Sequence, residues 1–386
     1  MTSPLPAFLI TAALLMVARL VTVHSAFYGE LCQARSGGRY EAIDGLRGFL
    51  ALGVFFYHAV ISYYFYVTGR WVPPPSSFYA LLGSAAVSTF FMITGFLFWA
   101  KVIKASGKLN LKNLYVSRVR RLVPLYVFSV LVVFAVVAVK SGFELRVGWS
   151  RLLSQLLPWF SFSLFELPDI NGVKHTEVIN AGVTWTLAYE WKFYAFLPVL
   201  ALFAKGWKFG GLVAAGLVCI YLYPSQSIIG NFLFGMLAAA ILEKYKLREW
   251  FVGRASTLIL VVALLALFAT SRFNWSLLQS ILLFVAFLFV AHGNGIFGLL
   301  TSPASKYLGH LSYSIYLLHG IVLSVALSLG NGMISIRELT PYSYWTGIAV
   351  IGSVIVLLSG LTYRFIEHPF LTTMKRAGQV PSNRFH

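Results

Sequence analysis

The chain has 386 residues, of which 59% are hydrophobic and 11% charged, and its mean hydropathy is +0.79. These values lie far outside the range of soluble proteins and require a polytopic membrane protein with no soluble domain left over. The formal net charge of +18 would otherwise suggest a nucleic-acid partner, but the cations fall into short clusters between apolar runs. That is the pattern of a membrane protein whose counterparts are anionic lipid or a phosphorylated cofactor.

In chain order, residues 4–24 are apolar enough to span and lack the basic leader of a cleaved signal peptide, so they read as an extra helix, with Arg19 inside it. Further helices are predicted near 46–67, 79–100, 122–140, 183–204, 208–223, 227–243, 256–270, 275–291, 308–329 and 344–366. The fold class is all-α integral membrane, a polytopic helical bundle of about 10–11 transmembrane helices. It divides into an N-terminal helix and connection over 1–40, a membrane domain over 41–370 and a basic tail over 371–386.

The cations concentrate in alternate connections: Arg35 and Arg39, the run from Lys101 to Arg121, Lys205 and Lys208, the group Lys244, Lys246, Arg248 and Arg254, and the tail with Lys375, Arg376 and Arg384. By the positive-inside rule that side, and with it the C-terminus, is cytoplasmic. The opposite side is poor in Lys and Arg and holds the longest connection, 141–182, with Glu144, Glu166, Asp169, His175 and Glu177. Its apolar stretch from Leu152 to Phe165 reads as an interfacial or re-entrant helix. Cys32 and Cys219 support neither a disulfide framework nor a thiol metal site. The sequence shows no metal-ligand spacing, nucleotide-binding glycine loop or serine nucleophile elbow.

Chemistry-bearing residues enter the apolar runs at few places. In Glu41-Ala-Ile-Asp44-Gly-Leu-Arg47 through Tyr57-His58, a cation stands at one mouth of a helix and an imidazole near its middle. Eleven residues separate them, roughly 16 Å along the axis and about 20° from a whole number of turns, so both side chains face one way. A stripe of that kind lines a polar cavity inside a bundle, unless Arg47 snorkels and His58 is a satisfied interhelical hydrogen bonder. Asp44 either caps the helix or pairs with Arg47.

Glu190 lies on a helix entering from the outer side near Gly182, which puts it at a depth similar to His58, and a carboxylate so placed needs a polar partner. Around it Trp185, Tyr189 and Tyr194 form either an interfacial belt or a sugar-stacking surface. Arg118 and Arg121, three residues apart, share a helical face and can grip a phosphate, or serve only as stop-transfer cations. Thr94 and Gly95 read as packing residues. His319 faces the same cavity as His58 or plays a structural part.

Five stretches in order resemble the membrane-bound acyltransferase family 3. They are Arg47 to His58; Ser88-Thr-Phe-Phe-Met-Ile-Thr-Gly95-Phe-Leu97; Trp185-Thr-Leu-Ala-Tyr-Glu190-Trp-Lys-Phe-Tyr194; Tyr313-Ser-Ile-Tyr-Leu-Leu-His319; and Tyr363-Arg-Phe-Ile-Glu367-His-Pro-Phe370. The resemblance covers 41–370 and implies an acyltransferase domain there. It departs from the family where Trp191 and Lys192 replace a second acidic residue and Gln, so only Glu190 carries over.

What the resemblance implies is an O-acyltransferase, most simply an O-acetyltransferase, of the cell (inner) membrane, taking acyl-CoA (acetyl-CoA) from the cytoplasm and needing no metal. Arg118, Arg121 and Arg47 would bind the donor. His58, Glu190 and Arg47 would be catalytic, with His58 as general base or acyl carrier and Glu190 orienting it. Trp185, Tyr194 and His319 would meet the acceptor, a glycan or lipid-linked sugar. Membrane lipid is the surrounding partner, nucleic acid is not a partner, and a second protein could receive the acyl group. No fused esterase-like domain is expected. The competing reading is a secondary transporter or proton-coupled permease, which buried His, Arg and Glu would also serve.

Overall fold

A computed structural model describes residues 1–33, 40–223, 227–245, 248–270 and 276–377. Of the expected cytoplasmic clusters, Arg35, Arg39, Lys246 and Arg384 lie outside the described residues, as does the basic tail from 378 onward, and the side chains of Arg248, Lys375 and Arg376 are likewise not described.

The described residues form helices α1 (Leu5–His24), α2 (Ala26–Gln33), α3 (Glu41–Thr68), α4 (Ser77–Lys104), α5 (Leu111–Lys140), α6 (Trp149–Leu156), α7 (Trp185–Ala201) and α8 (Trp207–Leu222). These are followed by α9 (Ser227–Lys244), α10 (Arg248–Val252), α11 (Arg254–Thr270), α12 (Leu277–Ala291), α13 (Pro303–His310), α14 (Ser312–Met333), α15 (Pro341–Thr362) and α16 (His368–Ala377). No strand occurs among the described residues, so the chain is an all-α polytopic membrane protein.

Among the described residues, seven helical segments are long and apolar enough to cross a bilayer: α1, α3, α4, α5, α9, α14 and the run Pro341–Thr372. The expected count of about 10–11 is therefore reached only if shorter helices are included. Three apolar helices, Trp207–Leu222, Arg254–Phe268 and Leu277–Ala291, fall below that length. The 17-residue α7 spans only roughly 25 Å at about 1.5 Å per residue, short of a hydrocarbon core of about 30 Å.

Three boundaries differ from the apolar pattern for local reasons. Helix α5 starts eleven residues before the expected 122, because Asn110 accepts from the Asn113 amide as an N-cap (3.0 Å) and the basic run that follows is itself helical. The expected 308–329 helix divides at Leu311 into α13 and α14. The expected 344–366 helix passes into a π turn at Tyr363–Glu367, a form that recurs at functional sites.

Close backbone approach sets the core. A Cβ on Gly95 of α4 would overlap the Phe232 carbonyl of α9, and one on Gly235 of α9 would overlap the Met92 carbonyl, so the two helices cross at a reciprocal pair of glycines. Thus Gly95 is a packing residue, as its sequence context suggests. At the start of α3, Gly45 and Gly48 admit the Leu300 carbonyl and α13, while Gly309 of α13 sits against the Asp44 carbonyl. The Lys306–Glu41 ion pair (2.8 Å) closes the same contact. Gly320 of α14 lies against the backbone of Asn180 and Ala181, which holds the 176–182 turn down onto the bundle.

Candidate active site

Two polar cavities, each of about 280 Å³, lie inside the bundle. The first collects Asp44 and Arg47 from α3, Thr94 and Phe98 from α4, Arg118 and Arg121 from α5, Glu190 and Tyr194 from α7, and Tyr313 and Tyr316 from α14. Widely separated sequence is brought together here by long-range bonds: Tyr115 of α5 donates to the Tyr194 carbonyl (3.1 Å), and Tyr313 of α14 donates to the Leu122 carbonyl (2.8 Å). Because the basic run is helical, Arg118 and Arg121 do share a face, and it is the one turned to this cavity.

Arg47 lies 3.9 Å from Asp44, so the pairing reading of Asp44 holds at the edge of ion-pair distance. The Arg118 guanidinium sits 4.9 Å from the Phe98 ring centre and 5.9 Å from that of Tyr194, a cation over two aromatic faces. Its Nε is buried with no hydrogen-bond partner among the described residues. An orphaned donor of that kind, with two further arginines on the same wall, suits an anionic ligand. Behind the wall, Glu367 of the π turn is buried and accepts from the Ser314 hydroxyl.

The second cavity is lined by Tyr57 and His58 from α3, Trp71 and its neighbours between α3 and α4, Ser84 from α4, Glu177 to Val183 from the long connection, and Trp185 and Tyr316. His58 is 9% exposed and His319 is fully buried. Their rings meet at His58 Nδ1···His319 Nε2, 2.9 Å, while His319 Nδ1 lies 3.0 Å from the Ile315 carbonyl.

These contacts fix the tautomers. A carbonyl only accepts, so His319 Nδ1 carries a hydrogen, and with both rings neutral its Nε2 is bare and must accept from His58 Nδ1–H. His58 is left with a bare Nε2, held by a partner at the back and lining a cavity at the front.

Among the described residues, only Val87 and Tyr316 line both cavities. The Tyr316 hydroxyl donates to the Val183 carbonyl (3.0 Å) and lies 2.8 Å from the Thr186 hydroxyl. Arg47 and His58 therefore share a stripe of α3, as their spacing requires, yet face different cavities on either side of this partition.

The structure relocates three expected site residues. Glu190 does not reach His58. It lines the arginine cavity and accepts from Tyr194 one turn on, because α7 begins at Trp185 and the carboxylate points down its axis. Tyr194 goes with it, beneath Arg118, and so lies away from the cavity of Trp185. His319 lines neither cavity and instead backs His58. Sequence reasoning missed Tyr316, Trp71 and Glu177. The spacing of Tyr316 and His319, three residues apart on one helix face, was the available signal for the first of them.

A polytopic helical bundle with an arginine-walled cavity on one side and a histidine-faced cavity on the other is thus defined. Residues 40–364 match the family described as "Acyltransferase domain". The chain belongs to this family, acyltransferase family 3, as its ordered motifs indicated. Among curated proteins it is similar to the Staphylococcus aureus (strain COL) protein named "Putative O-acetyltransferase", at 25% identity over 369 residues, covering 85% of this chain and 56% of that protein. It is also similar to the exopolysaccharide production protein ExoZ of Rhizobium meliloti (strain 1021), at 27% over 277 residues, covering 64% and 79%. The acyltransferase MdmB of Streptomyces mycarofaciens matches at 24% over 381 residues, covering 89% and 94%. The chain spans about half the length of the staphylococcal relatives it matches. No solved structure matches it.

Proposed function

We propose that the chain is a membrane O-acyltransferase that takes an acyl group, most simply acetyl, from cytoplasmic acyl-CoA and transfers it to a hydroxyl of a glycan or lipid-linked sugar at the opposite face. The observation that carries this reading is the fixed His58 tautomer, a bare Nε2 backed by His319 and facing a cavity. Family membership supplies the reaction class, and the name of the exopolysaccharide relative supports a glycan acceptor.

In the reaction, the acceptor O–H gives its proton to His58 Nε2 as its oxygen attacks the thioester carbonyl. The carbonyl re-forms as the C–S bond breaks, and the CoA thiolate takes the proton back from His58 Nε2–H. The imidazolium formed between these steps still donates Nδ1–H to His319, so no hydrogen bond is lost on protonation. An acyl-imidazole formed through the same Nε2 would use the same atoms in two steps.

The donor reading rests on the arginine cavity. At about 280 Å³ it stands at the small end of ligand sites, which run from roughly 300 to 1,000 Å³, and suits an acylated pantetheine arm more than a whole CoA. The phosphates would then stay near the mouth with Arg47, Arg118 and Arg121. By the positive-inside rule that mouth is cytoplasmic. Glu190, hydrogen-bonded to Tyr194, would keep Tyr194 and Arg118 in place. The transporter alternative draws on the same side chains, and family membership speaks against it.

The test is transfer by the purified chain in lipid nanodiscs, with acetyl-CoA and a panel of glycosides, scored by mass gain on the acceptor. His58→Ala is expected to lower turnover by roughly 10²- to 10⁴-fold, the usual contribution of a positioned acid–base group, while the protein still reaches the membrane. Near-normal turnover in that variant would remove His58 from the mechanism.

A further inference from the structure

The two cavities differ in the charge of their linings. Three arginines line the first, against Asp44 and Glu190. Among the described residues lining the second, none is Lys or Arg, and its one carboxylate is Glu177, exposed at the rim. Trp71, from the connection after α3, stands 6.1 Å from the His58 ring with only 10° between their planes, and Phe65 packs against its edge. Ser84 is already engaged, accepting from Gln279 and donating to Leu81. The groups left to meet a ligand thus include the Trp71 indole face, the Tyr57 hydroxyl, the His58 Nε2 and the Glu177 carboxylate, with Trp185 on the same lining; the carboxylate accepts from hydroxyl or ammonium groups and offers no donor.

We propose that this second cavity is an acceptor site for a hydroxyl-bearing ring that is uncharged or carries an amino group, laid on Trp71 and held at the rim by Glu177, and that it rejects rings bearing a carboxylate or phosphate. The proposal rests on the functional reading above. An apolar sugar face suits the indole, which orders little on binding. A carboxylate on the incoming ring would meet Glu177 with no cation among the described lining residues to offset it, and like charges at the rim repel, though solvent screens them in part. The same asymmetry keeps the anionic donor on the arginine side.

Binding is measured without donor, by calorimetric titration of the full chain in nanodiscs of zwitterionic lipid, using matched short-chain alkyl glycosides of a neutral sugar, an amino sugar and a uronic acid. The neutral and amino glycosides are expected to bind roughly tenfold or more tighter than the uronic acid. Glu177→Lys is expected to reverse that order, Glu177→Gln to remove the advantage of the amino sugar over the neutral one, and Trp71→Leu to weaken all three. Equal or tighter binding of the uronic acid by the unaltered chain, or an order left unchanged in Glu177→Lys, overturns the proposal. A correct binding order without His58-dependent transfer counts against the enzymatic reading and leaves the binding site standing. His58-dependent transfer with no charge order does the reverse.

Discussion

At the scale of single residues, the arrangement of His58 and His319 makes a graded prediction. His319 touches no cavity, so its part is to accept from His58 Nδ1–H and so keep Nε2 bare. Replacement by Ala is expected to lower turnover by about tenfold to a hundredfold, less than loss of His58 itself, with donor affinity unchanged. Replacement by Gln, whose amide oxygen can accept the same hydrogen, is expected to restore most of the difference. Steady-state turnover with direct donor titration checks this, and equal losses in Ala and Gln variants would reduce His319 to packing. His310, at the end of α13 outside the spanning helices, offers a second test. Burial holds it down to about 4 from an ordinary 6.5, with nearby Asp44 opposing and Arg47, Arg121 and Lys306 adding to the depression. The unfolded chain therefore binds the extra proton between those values, so the stability is complete above about 6.5 and lost as pH falls toward 4. Thermal unfolding in detergent should show an acid-side fall that is smaller in His310→Gln. Part of this scale could be read beforehand: Arg47, Arg118 and Arg121 line one cavity, whereas Glu190, expected beside His58, joins them there. The partner of His58 could not, because two histidines 261 residues apart are related only by how α3 and α14 pack.

Among the elements, glycines decide where helices and turns meet. Gly320 follows His319 directly, and its missing side chain lets Asn180 and Ala181 lie on α14, so the 176–182 turn roofs the His58 cavity. In Gly320→Ala the new methyl meets backbone, which cannot swing aside as a flexible side chain would, so the turn must lift. The expected result is a loss of transfer of about tenfold or more through weaker acceptor binding, with donor binding preserved. Unchanged acceptor affinity would show that the roof is dispensable. Hydrophobicity alone located most long helices but misread their ends. It sees apolar length, and so it overlooked the polar first turns of α5, where the Asn110 cap starts a helix through Lys112 and Arg121. It also could not foresee the break at Leu311 or the shortness of α7, which follow from packing and from turn backbone such as Ala181 (φ 57°) and Gly182 (φ 64°).

Across the whole molecule, the all-α membrane fold was legible from composition and the family from ordered motifs, while the division into two cavities was not. A single stripe carrying Arg47 and His58 suggested one continuous polar space. The partition by Val87 and Tyr316 is made by side chains reaching from α4 and α14, where the Phe90 and Tyr316 rings also meet at 6.1 Å, a matter of tertiary packing rather than of pattern. Tyr316→Ala should join the cavities and admit water to the donor end. The expected outcome is acceptor-independent release of free CoA from acetyl-CoA several-fold above the parent chain, measured with a thiol reagent. Release no faster than that of the parent would mean that the partition has another basis.

The same partition bears on what the surrounding membrane must preserve. On the proposed reading, two cavities that share only Val87 and Tyr316 among their described lining residues would let a small group be handed over without a continuous wire of water for protons or metal ions. One elementary charge moved through 100 mV represents about 2.3 kcal/mol, so a leak beside every turnover would drain the electrochemical gradient. A tyrosine tethered to the Val183 carbonyl would then let the bundle work as an airlock.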